Sequence, residues 1–121
     1  MTNQLQKVHH VAIAILYRNN KFLMQLRDNI PTIPYPGYWA FFGGHIEAGE
    51  TPEVALRREI IEEISYTLPK NIHEFGRYDS ETAVRHVFHA PLEVEIDKLV
   101  LGEGWDLGLV TPEEIRSGKR F

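Results

Sequence analysis

The stretch that most constrains the fold runs from Gly43 to Ser65 and reads GGHIEAGETPEVALRREIIEEIS. Thr51 is a helix-capping residue, Pro52 suits the first helical position, and Glu53 complements the positive end of the helix dipole, so a helix starts here. At about 3.6 residues per turn, Leu56, Ile60, Ile64, Ile61 and Val54 share one side with Arg57 among them. Arg58, Glu59, Glu62 and Glu63 share the other. Glu59 pairs with Glu62 at i,i+3 and with Glu63 at i,i+4, so the three carboxylates crowd one arc of the helix.

Like charges at this spacing destabilise a helix by roughly a few tenths of a kcal/mol per pair, and Arg58 offsets only part of that. A divalent cation offsets more. Magnesium takes oxygen ligands, commonly one or two protein carboxylates, with water and substrate phosphate supplying the rest. The competing reading is a solvated glutamate-rich face. The residues ahead of the helix favour the cation. Tyr38 to Phe42 is an apolar, strand-like run, and Gly43-Gly44 behind it reads as a tight turn in which a carbonyl or amide can face a ligand.

Gly44, Glu50, Arg58-Glu59, the apolar Ile60 and Glu62-Glu63 resemble, at their fixed spacing, the signature of the Nudix hydrolases (MutT-like), G-x5-E-x7-R-E-U-x-E-E-x-G-U with U apolar. Two positions depart from it. Ser65 stands where the family has glycine, and Phe42 stands where many members have proline. If residue 65 ends the helix in a left-handed conformation, serine costs about 1 kcal/mol relative to glycine. No metal-binding carboxylate is lost.

The resemblance implies an α/β fold, the Nudix α/β/α sandwich with a mixed β-sheet between helices, and a single domain over residues 1–121. It implies hydrolysis of a diphosphate linkage in a nucleoside diphosphate linked to some group X, a nucleotide sugar or a nucleoside triphosphate. Mg2+ is the implied cofactor, with Mn2+ as a substitute. Glu59 and Glu63 are expected to bind the metal directly, with Glu62 and the Gly44 carbonyl completing the cluster. Arg58 is expected to hold the carboxylates in place. Glu103, in Gly102-Glu103-Gly104, is the expected further acidic ligand from downstream. The proton acceptor is Glu59 first and Glu103 second.

The substrate-facing candidates each have an ordinary alternative. Arg27 is either an exposed charge or, as the resemblance implies, a contact to the substrate's phosphates. Tyr35 and Trp39 are aromatic platforms for a nucleobase, Trp39 being equally suited to the core. Arg85 either touches substrate or is a surface residue. Glu50 pairs with Arg58 or a backbone amide. Two other function classes remain: a catalytically inactive nucleotide-sensing module on the same fold, and an isoprenoid diphosphate isomerase. The second needs a cysteine, and the chain has none.

Composition bounds the partners. A chain of 121 residues with 43% hydrophobic and 25% charged residues suits one globular domain with an ordinary core. A net charge of −4 gives no overall attraction for long nucleic acid, yet is compatible with a small phosphorylated ligand bridged by metal. The absence of cysteine excludes disulfides and thiolate metal sites and fits a reducing compartment. No apolar run has membrane-spanning length, and MTNQLQK lacks the apolar core of a signal peptide, so the expected location is the cytoplasm. A homodimer is compatible with the sequence.

Along the rest of the chain, Lys7 to Tyr17 and Phe22 to Arg27 read as a hairpin around Arg18-Asn19-Asn20-Lys21. Asp28 to Gly37, with its three prolines, reads as an irregular loop. Ile72 to Ser80 and Val84 to Leu92 read as two further strands. On the second, His86 and His89 face opposite sides and make no zinc pair. Glu93, Glu95 and Asp97 read as a solvated strand edge. Leu107 to Val110 is a last strand, and Thr111-Pro112-Glu113-Glu114 caps a closing helix that ends near Gly118.

Overall fold

In the computed structural model, which describes residues 8–27, 31–32, 37–102 and 106–118, the chain opens with the expected hairpin. Strands β1 (His9–Arg18) and β2 (Lys21–Leu26) are joined by Asn19 and Asn20 alone. Both asparagines have positive φ (54° and 62°), the left-handed pair that a two-residue hairpin loop requires and asparagine tolerates. The two strands pair only at Tyr17↔Phe22 and Arg18↔Lys21.

What fills the space between them sets up the site. β3 (Trp39–Ala40) pairs with the end of β2, and β4 (Phe42–His45) pairs with β1, with only Phe41 between the two short strands. Gly43 and Gly44 therefore lie in a strand opposite Ile13 and Ala12, and the expectation of a tight glycine turn is corrected. The reason is close backbone approach: a Cβ on Gly43 would run into the Ala12 carbonyl oxygen and lie 2.9 Å from Ile13 Cα.

Helix α1 (Pro52–Ile64) starts as the sequence indicates, with Thr51 Oγ1 accepting from Val54 N and Pro52 in the first turn. It ends at Ser65, which adopts φ 56°, ψ 39°, the left-handed cap at which the family pattern has glycine. Its buried stripe is Ala55, Leu56, Ile60 and Ile64, narrower than expected. Val54 and Ile61 stay about half exposed, because the sheet beneath the helix reaches only the central stripe. Arg57, expected on that side, clamps the following loop instead, donating to the carbonyls of Leu68, Pro69 and Lys70 and to Glu53.

β5 (His73–Asp79) and β6 (Ala83–Pro91) follow as an antiparallel pair with a bulge between Glu74 and Gly76, and β6 lies parallel to β1 from His9↔Ala83 to Tyr17↔Pro91. β7 (Asp106–Val110) closes on the free edge of β2. The seven strands form one mixed sheet, ordered β3-β2-β1-β6-β5 with β4 on β1 and β7 on β2. Ala12, Ala14, Leu16, Phe88, Ala90 and Leu92 face α1, and the small alanines let the helix sit close to the sheet. Each fully buried leucine or isoleucine in this layer contributes roughly 1.5–3 kcal/mol.

Glu93 to Asp97 does not form the expected strand edge. Ile96–Lys98 is a 3-10 turn with Glu95 at its N-cap, and Ile96 turns its side chain against the core. The short helix α2 (Pro112–Arg116) carries a complete capping box between Thr111 and Glu114 and stops ahead of Gly118 at φ 74°. No helix among the described residues is long and apolar enough to cross a membrane.

Candidate active site

The site grows from one approach, that of α1 to β4. Along β4, Phe42 is buried against the helix, and alternation turns Gly44 to the same side. A Cβ on Gly44 would collide with the Glu59 carboxylate, so glycine at this position leaves the space that the acid occupies. One turn along the helix, Glu63 Oε1 accepts from Gly43 N at 3.2 Å. Glu59 and Glu63 thus converge on the two glycines, as the i,i+4 spacing requires.

Arg58 organises the remaining acids. Its Nε and Nη2 grip both oxygens of Glu50 at 2.7 and 2.9 Å, and its Nη1 reaches Glu59 Oε1 at 3.0 Å and Glu62 Oε1 at 3.2 Å. Nη2 also donates to the His45 carbonyl at 3.1 Å. A looser ion pair to Glu47 at 3.8 Å completes the set. The fork of the guanidinium holds Glu50 in a bidentate grip, and Glu47 N donates to the same Glu50 carboxylate at 2.9 Å. Those contacts, the Arg58 hydrogen bond first, lower the Glu50 pKa from 4.5 to about 2. The guanidinium pKa is driven up in turn, chiefly by Glu50.

Among the described residues, no three acidic or imidazole groups stand close enough to form a complete metal cage. The fit is to an ion that brings its own further ligands. Glu59 and Glu63 present carboxylate oxygens beside the Gly43-Gly44 backbone, Glu62 stands one turn from Arg58, and among the described residues no nitrogen or sulfur donor joins them. That is the donor chemistry of magnesium, which keeps several waters and takes substrate phosphate as ligand.

Of the residues expected at the site, Glu59 lies against Gly44 and Glu63 bonds the neighbouring Gly43 amide. Glu62 is linked to Glu59 only through Arg58, which also makes the pairing expected with Glu50, so the three carboxylates do not close into one cluster. Glu103 and Tyr35 lie outside the described residues. Gly102, which precedes Glu103, donates to the Glu63 carbonyl at 2.8 Å. Arg27 follows β2, its amide bonded to the Tyr38 carbonyl. Trp39 is half-buried on β3 with its ring lying against Gly108 of β7. Arg85 sits on β6 between Val11 and Tyr78, its Nη1 3.4 Å from Ser80 Oγ.

The chain matches the NUDIX domain model over residues 8–120. It is 59% identical over 34 residues to the nucleoside triphosphatase NudI of Enterobacter sp. (strain 638), a match that spans 28% of this chain and only 24% of that relative. Among solved structures, the MutT protein of Methanosarcina mazei Go1 superposes with a TM-score of 0.77 at 19% identity, covering 96% of this chain and 86% of the other. The NUDIX domain of Shewanella oneidensis NrtR, complexed with ADP ribose, gives 0.72 at 18% identity, covering 97% and 81%. These two share the fold.

Proposed function

Because the chain belongs to the Nudix family, we propose that it is a magnesium-dependent hydrolase that opens the diphosphate linkage of a nucleoside diphosphate derivative. The carrying observation is the convergence of Glu59 and Glu63 on Gly43-Gly44. A sequence similarity to a nucleoside triphosphatase, short as it is, supports a nucleoside triphosphate as the first substrate to test. We read residues 1–121 as one such domain, acting in the cytoplasm.

Glu59 and Glu63, with Glu62 and the Gly44 carbonyl in support, would hold the cation. When bound, magnesium neutralises phosphate charge and acidifies a coordinated water. The residues of the chain do the rest. Glu59 takes the proton of the attacking water, with Glu103 as the second candidate. Arg58 fixes Glu59 and Glu62 so that neither carboxylate swings away, and Glu50 fixes Arg58. Water adds to phosphorus, the bridging P–O bond breaks, and two phosphorylated fragments leave. Arg27 and Arg85 are the candidate contacts to the substrate's phosphates and Tyr35 and Trp39 to its base.

The test is phosphate or diphosphate release across nucleoside triphosphates, nucleotide sugars and ADP-ribose with magnesium or manganese, alongside Glu62→Gln and Glu63→Gln. Loss of turnover in Glu63→Gln is expected. Wild-type rates in both variants would remove the assigned roles. Metal-dependent nucleotide binding without turnover would point instead to a sensing module.

A further inference from the structure

We propose that the outer edge of β5 is a self-complementary interface through which two copies of the chain pair, with Tyr78 of each copy meeting on a two-fold axis and Arg77 facing Asp79 on either side of it. β5 is the last strand of the sheet, and among the described residues no strand is bonded to its outer side. Every residue of β5 except Gly76 is exposed. Phe75 and Tyr78 are 58% and 49% exposed, and their rings stand 6.4 Å apart, so the edge carries an uncovered aromatic pair.

The backbone fixes the register. Ser80 N donates to the Ala83 carbonyl at 2.8 Å, and hydrogen-bonded pairs in an antiparallel ladder recur at every second residue, so Ser80, Tyr78 and Gly76 turn their amide groups towards β6. Arg77 and Asp79 turn theirs outwards. The bulge between Glu74 and Gly76 ends the straight part of the edge on one side, and the turn into β6 ends it on the other. An antiparallel second copy that uses both outward residues must place residue 78 on the axis. Each Arg77 then bonds, backbone to backbone, with Asp79 of the other copy.

Charges on an edge strand ordinarily keep other strands away. Here they match their own copy. Arg77 and Asp79 already form a two-point ion pair on one face of β5, at 3.0 and 3.2 Å. The second copy sets a carboxylate opposite each guanidinium, so the four charges alternate in sign around the axis. On the other face, Tyr78, which lies over Gly76, meets its counterpart at a non-hydrogen-bonded position, where facing side chains stand closest. Phe75 of each copy flanks the two tyrosines. β6 and β1 separate this edge from β4, so pairing leaves Glu59 and Glu63 open, and the inference stands apart from the hydrolase reading.

Sedimentation velocity on the full chain, from micromolar to submillimolar concentration, should show the wild type passing from one to two chain masses. Arg77→Asp and Asp79→Arg each set like charges opposite one another, and each should weaken association at least about tenfold. An equimolar mixture of the two variants brings opposite charges back to both positions and should associate about as tightly as the wild type. Misfolded variants could not give that recovery, and circular dichroism of each checks the fold directly. A wild type that stays at one chain mass would overturn the proposal. So would single variants that associate as strongly as the wild type, or a mixture of folded variants that fails to recover.

Discussion

Gly44 and Glu59 exclude any larger pairing: the position of a first side-chain carbon on the glycine is taken by the carboxylate of the glutamate. Gly44 is in extended backbone within β4, so alanine there is conformationally acceptable and the strand forms. What moves is Glu59. A displacement on the order of 1 Å at a reacting group costs about 100-fold in rate, and we expect at least that loss in kcat for Gly44→Ala. A normal circular dichroism spectrum and cooperative melting check that the fold survives. Wild-type turnover in a folded Gly44→Ala protein would mean that Glu59 has no part in the chemistry.

Glu50 gives the pH dependence. Its carboxyl is held at about 2 in the folded chain, chiefly by Arg58, against an ordinary 4.5. A depressed carboxylate stabilises the fold fully above pH 4.5, and that contribution fades as pH falls towards 2. Melting temperatures of the wild type and Glu50→Gln, followed from pH 7 to 2, should be well separated at neutral pH and converge in acid. Curves that stay parallel would place the Arg58 contact outside the stability of the fold.

Ser65 offers a gain. At φ 56° it occupies the left-handed region that disfavours any side chain. Ser65→Gly should stabilise the protein by about 1 kcal/mol, or about 3–5 °C in melting temperature for a domain of this size. The carboxylates do not depend on it, so kcat should stay at the wild-type value. Denaturant unfolding with an unchanged slope is the check.

Much of this was legible in the sequence, and the parts that were not have a common cause. Thr51, Pro52 and the glutamate spacing define α1 locally, and Thr111 with Glu114 does the same for α2. Asn19-Asn20 fixes the hairpin. Gly43-Gly44 looked like a turn because glycine pairs usually are one. Only the separation of β1 from β2, a long-range matter, creates the slot that makes them a strand. The exposure of Val54 and Ile61 likewise follows from where the sheet ends. The Arg58 pairing with Glu50 could be anticipated, but its further reach to the His45 carbonyl needed the fold.

Magnesium should act on stability as well as on rate. A ligand that binds only the folded state stabilises it by about 2.7 kcal/mol at 100 times its Kd. The wild type should therefore melt higher in millimolar magnesium than in chelator, and Glu59→Gln and Glu63→Gln should lose most of that difference. If the two variants shift as far as the wild type, the cation binds elsewhere.

Arg58 has a harder task than charge neutralisation. Its planar fork reaches two oxygens of Glu50, one each of Glu59 and Glu62, and the His45 carbonyl at 2.7–3.2 Å. A lysine ammonium keeps the charge but cannot span those acceptors in one geometry. Arg58→Lys should therefore behave as a misplacement of the carboxylates rather than as a loss of charge. Outer contacts of this kind typically change metal affinity by about 10–100-fold, and we expect magnesium affinity to fall in that range. Glu59 and Glu62, no longer held, repel each other, so the deficit should appear in the half-saturating magnesium concentration and shrink as the metal is raised. A rate loss that saturating magnesium leaves untouched would instead make Arg58 a direct contact to the substrate.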